Sequence, residues 1–130
     1  MNRRLRTMLY RVIIAGGRDF NNKIVFSEEV DKIVEELGID NIEIISGHSS
    51  GADSLAEVYA KKHNIPLKIF PAEWKKYGKA AGPIRNKQML DYSLEEESVL
   101  IAFWNGISKG TRNMIDRAKN EKTDIRIIHY

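Results

Sequence analysis

Apolar positions along this chain keep two alternating rhythms. YRVIIAGG (10–17) is a short β-branched run ending in glycines, the pattern of a buried strand. In KIVFSEEVDKIVEELG (23–38), Val30, Ile33, Val34 and Leu37 recur at the spacing of one helix face. Asn22, or else Ser27 with Glu28 and Glu29 behind it, is suited to cap that helix, and Gly38 to close it. IEIIS (42–46) reads as a second strand. Ala52, Leu55, Ala56 and Tyr59 then make another helical stripe, stopped by Asn64 and Pro66. PLKIF (66–70) alternates like a strand with one wet face. A polar loop is expected through Trp74 and Tyr77 to Gly78, then a helix over 82–93 with Pro83 in its first turn. SVLIAFW (98–104) is the most continuously apolar run and is read as a central strand. A last helix (110–120) turns Met114, Ile115 and Ala118 inward, and DIRIIHY (124–130) is the last strand.

Strands and helices therefore alternate throughout. That order implies an α/β fold, a Rossmann-like three-layer α/β/α sandwich with a mainly parallel five-stranded sheet. A length of 130 residues suits one domain. Residues 1–9 are read as a basic N-terminal extension and 10–130 as the single domain. No repeat, low-complexity stretch or linker interrupts it.

Composition narrows the chemistry. The absence of cysteine excludes disulfides, thiolate metal sites and a cysteine nucleophile. No apolar run approaches the roughly 20 residues of a membrane span, and the basic start MNRRLRTMLY is followed by no signal-peptide core. A cytoplasmic protein without membrane partners is expected. The net charge of +3 and pI near 9.1 hint at an anionic partner. Arg3, Arg4, Arg6 and Arg11 alone outweigh that net charge, so the excess is local and does not describe a broad nucleic-acid face. His48, His63 and His129 lie far apart, so neither a metal nor another cofactor is called for.

In an open parallel sheet, ligands bind beyond the carboxyl ends of the strands, where the strand order switches. Four segments land there: GGRDF (16–20), SGHSSGAD (46–53), PAEWKKYGKAAGPIRN (71–86) and WNGISKGT (104–111). Glycine lets backbone approach a ligand, and a helix start offers free N–H groups and partial positive charge, which together suit a phosphate. Gly47, Ser49, Ser50 and Gly51 are candidates to surround one, as are Lys109, Gly110 and Thr111 at the last helix. Arg18 and Arg85 can supply forked charge, and Trp104 or Trp74 can stack on a base. Neither a P-loop nor a G-x-G-x-x-G fingerprint is present. GHSSG (47–51) matches the G-x-S-x-G nucleophile elbow, with Ser49 as nucleophile and Asp124 and His129 as nominal partners, but the chain is short for that fold.

RVIIAGGRDF, SGHSSGADSLAEVYA, FPAEWKKYGKAAGPIRNKQML and IAFWNGISKGTRNMIDRAK together resemble the YspA-like branch of the SLOG superfamily, from about residue 10 onward. Relatives include the Lonely Guy phosphoribohydrolases and DprA-like DNA-processing proteins. The resemblance implies binding of a nucleotide or nucleotide-derived ligand, a link to phage–host conflict, and a homo-oligomer. It maps the family motifs onto Gly16, Gly17, Arg18 and Asp19; Gly47, Gly51, Ala52 and Asp53; Gly82, Arg85 and Asn86; and Gly106, Gly110 and Thr111. Lonely Guy enzymes carry a catalytic glutamate where this chain has Met114. A methionine cannot stabilise the oxocarbenium character that builds when an N-glycosidic bond breaks.

Two readings follow. The first is a protein that binds a nucleotide-like small molecule, with NAD and ADP-ribose types among the candidates, as a sensor or sequestering protein. Asp53 would cap its helix, accept a ribose hydroxyl, or do both. The second is a phosphoribohydrolase-like enzyme that uses Arg85 with Asp53 or Asp19 on an N-glycosidic bond. A nucleic acid is not the expected partner in either.

Overall fold

A computed structural model describes residues 8–130. Arg3, Arg4 and Arg6, and with them most of the basic extension, lie outside the described residues. Ten principal elements follow in order: β1 (Tyr10–Gly16), α1 (Lys23–Leu37), β2 (Ile42–Ser46), α2 (Ala52–Lys62), β3 (Leu67–Ile69), α3 (Trp74–Tyr77), α4 (Ala81–Ser93), β4 (Glu97–Trp104), α5 (Lys109–Lys119) and β5 (Thr123–His129). All strand pairs are parallel, in the order β3-β2-β1-β4-β5. The Rossmann-like α/β architecture read from the sequence is the one observed. The expected central strand, β4, is interior, and β1 holds the middle place.

The two-residue period of β1 explains the layers. Val12 and Ile14 face a core shared with α1 and α2, through Phe26, Val30, Ile33, Ala56 and Tyr59. Ile13 and Ala15 face the opposite core with α4 and α5, through Met89, Leu90, Met114, Ile115 and Ala118. Because both faces are covered, both sets are apolar, and the run shows no alternation in sequence. Phe103 of β4 stacks on Phe26 (5.1 Å between ring centroids) and on Phe20 (4.7 Å), which pins the loop after β1.

Asn22, one of the two cap candidates, caps α1: its side chain accepts from the Val25 N–H at 3.0 Å. Gly38 closes α1 with φ +90° and donates to the Val34 carbonyl. His63 ends α2 and packs its ring 4.3 Å from Tyr59. The stretch read as a polar loop from Trp74 to Gly78 instead holds α3 and a turn of 3-10 helix (Gly78–Ala80), neither with a buried residue. Local bonds suffice for them, Lys76 and Tyr77 both donating to the Glu73 carbonyl at 3.0 Å.

Arg11, counted with the basic segment, belongs to the fold. Its side chain is 13% exposed and pairs with Glu43 (3.0 Å) and Glu95 (2.9 Å), and its guanidinium lies 3.8 Å from the Tyr92 ring centroid. Among the described residues no helix is long and apolar enough to cross a membrane.

Candidate functional site

The chain runs β1 to β3 outward on one side, then returns past β1 to lay β4 on the other. Beyond the carboxyl ends of β1 and β4, where the direction of winding changes, a cleft of about 720 Å³ opens. Small-molecule sites run from about 300 to 1,000 Å³. The loop after β1 contributes Gly16, Gly17, Arg18 and Asp19. Ser49 and Asp53 come from the start of α2, and Arg85 and Asn86 from α4. Lys109, Gly110 and Thr111 open α5 along the opposite wall.

Arg85 is 9% exposed. Its Nε donates to Asn86 Oδ1 at 3.1 Å and its Nη1 to the Gly47 carbonyl. Its Nη2 has no acceptor among the described residues. Burial works against its charge, the Asp53 carboxylate supports it, and Arg18 opposes it. Asp53 is 5% exposed, and its Oδ2 accepts the Ser49 N–H at 3.2 Å. Burial lifts its carboxyl to about 6, against the pull of the Ser49 N–H, Arg85 and Arg18. Between these two groups Gly47 leaves no room for a Cβ unless the guanidinium shifts: a Cβ there would stand 2.6 Å from Arg85 Nη1 and 3.0 Å from Asp53 Oδ2.

At α5, Ser108 caps the helix by accepting from the Thr111 N–H, and Asn105 Oδ1 accepts from the Ile107 and Ser108 N–H groups at 2.8 and 2.9 Å. The Lys109 and Gly110 N–H groups precede the first intrahelical bond and have no acceptor among the described residues. Asn86 fixes this turn from α4, donating to the Gly110 carbonyl (3.1 Å) and to Asn113 Oδ1 (3.0 Å).

Six candidates lie away from the cleft. Ala52 donates its N–H to the Gly17 carbonyl (3.3 Å), and the Ser50 hydroxyl reaches the Arg18 carbonyl (3.4 Å). Gly51, at φ +75°, packs against those same two residues, where a Cβ would collide with backbone. So the start of α2 grips the β1 loop, while Gly47 floors Arg85. Trp104 donates its indole N–H to the Ser108 carbonyl (3.1 Å), and Gly106, at φ +85°, forms the turn beside it. Of the two tryptophans, Trp74 lines the cleft, with Arg18 5.7 Å from its ring and Gly82 beneath its edge.

The elbow reading fails on topology. Ser49 follows β2, whereas His129 lies in β5, two strands beyond β1, paired with Trp104 of β4. Asp124 sits at the start of β5, bound to Arg126 on the opposite rim. The positive φ that an elbow serine requires belongs to His48 (φ 63°), whose ring is bonded to Glu57 at 2.9 Å.

Sequence reasoning passed over Asn105, Ser108 and Asn113, which line the cleft. Asn113 had a signal, one helical turn beyond Gly110 on the same face. Lys79 and Met89 had none that periodicity could supply.

An open parallel sheet with a basic, glycine-lined cleft at its switch point defines a Rossmann-like domain. The chain belongs to the YspA, cpYpsA-related SLOG family (YAcAr), whose model matches residues 10–77. It is 28% identical over 127 residues to the Gene 61 protein of Mycobacterium phage D29, an alignment spanning 92% of this chain and 95% of that one. Its fold is similar to that of DNA processing protein A (DprA) from Streptococcus pneumoniae, with a TM-score of 0.68 and 19% identity, over 94% of this chain and about half (51%) of the other.

Proposed function

We propose that this chain binds a nucleotide-derived small molecule in the cleft and holds it intact, as a sensor or sequestering protein. The observation that carries this reading is Arg85: a guanidinium nine-tenths buried, lining the cleft, with a donor group unmet. Burying such a charge without a complete set of partners is costly, and an anionic ligand oxygen would complete it. The open Lys109 and Gly110 N–H groups fit the same phosphate, and Trp74 offers a face for a base. Met114, which lines the cleft, stands where the resembling Lonely Guy motif carries its glutamate, and its lack of a carboxylate supports binding over cleavage.

A second reading rests on Asp53. A carboxyl held near 6 beside an arginine is suited to proton transfer, so cleavage of an N-glycosidic bond is the competing activity. Incubation with pooled nucleoside monophosphates, NAD, ADP-ribose and cyclic nucleotides separates them. After spin filtration, mass spectrometry is run on the flow-through and the denatured retentate. An intact compound retained with the protein is expected. Free base and ribose phosphate accumulating with time would establish the hydrolase instead.

A further inference from the structure

Asp19 reaches the cleft from a turn gripped on two sides. The Phe20 N–H closes that turn on the Gly17 carbonyl (3.2 Å), and the start of α2 holds Gly17 and Arg18 from one side. From the other comes Tyr130, just past β5. Its N–H donates to the Trp104 carbonyl (3.2 Å), and its ring packs 4.8 Å from Phe20. Its hydroxyl then donates to Asp19 Oδ1 at 2.6 Å, across 111 residues of sequence. Gly17 makes this reach possible, because a Cβ there would overlap the Tyr130 hydroxyl.

A carboxylate offers two acceptor oxygens. The phenol occupies one of them and fixes the plane of the group. Burial first, and Asp19 second, raise the phenol to about 12, so it remains an O–H donor at neutral pH. Asp19 Oδ2 has no donor among the described residues. The carboxylate thus presents one fixed, open acceptor at the exposed rim of the cleft; Asp53 Oδ1 is a second acceptor, buried at the start of α2, while the free groups at Arg85 and the start of α5 are donors.

We propose that Tyr130 is a positioning residue for this cleft: it fixes the Asp19 carboxylate so that Oδ2 accepts from a sugar hydroxyl, selecting anionic ligands that carry that hydroxyl over those that lack it. The inference rests on the ligand-binding reading above. A hydroxyl on the ligand meets a waiting, oriented acceptor, whereas its absence leaves that exposed oxygen to water.

The test is calorimetric titration of AMP, 2′-deoxyAMP and 3′-deoxyAMP into the full chain and into Tyr130→Phe, Asp19→Asn and the double variant. The native chain is expected to favour AMP over one deoxy ligand by about tenfold, the scale of a hydrogen bond to a charged group. Tyr130→Phe should shrink that ratio to within about threefold, mostly through weaker AMP binding. Asp19→Asn, which keeps the phenol and its packing, should shrink it likewise, and the double variant should add nothing further. A merely structural tyrosine would weaken all three ligands together with the ratio intact, which overturns the proposal, as does equal binding of all three by the native chain. If the native chain binds none of them and retains nothing from the pooled screen, the ligand-binding reading itself falls, and this inference with it.

Discussion

Replacing Asp53 by asparagine should make the protein more stable at neutral pH. The carboxyl is 5% exposed, and burial lifts it from an ordinary 3.8 to about 6. Arg85 and Arg18 pull the value down, so their attraction is already counted and burial still dominates. At about 1.36 kcal/mol per pH unit, keeping this group ionised costs the folded chain about 3 kcal/mol. The native carboxyl holds its proton more tightly than the unfolded chain does. Between the ordinary 3.8 and about 6, the native state therefore binds more protons, and stability falls as pH rises through that window. The penalty is complete above the window and absent below it. In Asp53→Asn the amide oxygen would still accept the Ser49 N–H, while the charge is gone. Urea unfolding of the ligand-free chain at several pH values is the assay. The variant should gain about 2–3 kcal/mol at pH 7.5, or about 5–10 °C in Tm, with the difference closing near pH 4. A variant less stable at pH 7.5, or a gap that does not narrow on acidification, would refute the argument.

Three further perturbations bear on the same cleft. Arg85→Met keeps the length of the side chain and removes the buried charge; ligand retention in the spin-filter assay should be lost, and urea unfolding at pH 7.5 should show a loss of about 1–3 kcal/mol, because the buried Asp53 carboxylate loses an opposite charge and the Gly47 carbonyl its donor. Gly47→Ala puts a methyl 2.6 Å from the guanidinium, so urea unfolding should show a loss of about 1–3 kcal/mol, and calorimetry weaker binding of any ligand retained by the native chain. Ser108→Ala removes the cap of α5 and should cost about 0.5–2 kcal/mol in urea unfolding.

Much of this fold can be read from the chain because a doubly covered parallel sheet writes its strands as uninterrupted apolar runs. Residues 98–104 and 10–16 announce themselves in that way. The α3 segment does not, because neither it nor the turn after it buries a side chain, and without burial there is no period to detect. The site divides along similar lines. Glycines and charged groups at strand ends point to one rim, and Arg85, Asp53 and the opening of α5 do line one cleft there. Glycine type alone cannot say which loops face the cleft and which face each other. Gly51 and Gly110 look alike in sequence, yet a Cβ at Gly51 would strike the neighbouring loop and one at Gly110 would meet nothing within 4 Å. Tyr130 was invisible as a site residue, since its partner Asp19 lies at the other end of the chain.

The crossover that sets β4 beside β1 also has a consequence for synthesis on the ribosome. Residues 10–77, the portion that the family model matches, emerge first and can pair β1 with β2 and β2 with β3. Until residues 97–104 follow, β1 is an edge strand with unpaired backbone N–H and C=O groups, and Ile13 and Ile14, fully buried in the finished sheet, stand on its two faces. An apolar edge of this kind recruits any other extended segment within reach. The nascent chain thus spends the translation of α4 as a half-sheet with a sticky margin and half a cleft, and stalling or truncation in that interval should yield aggregates rather than a smaller working domain.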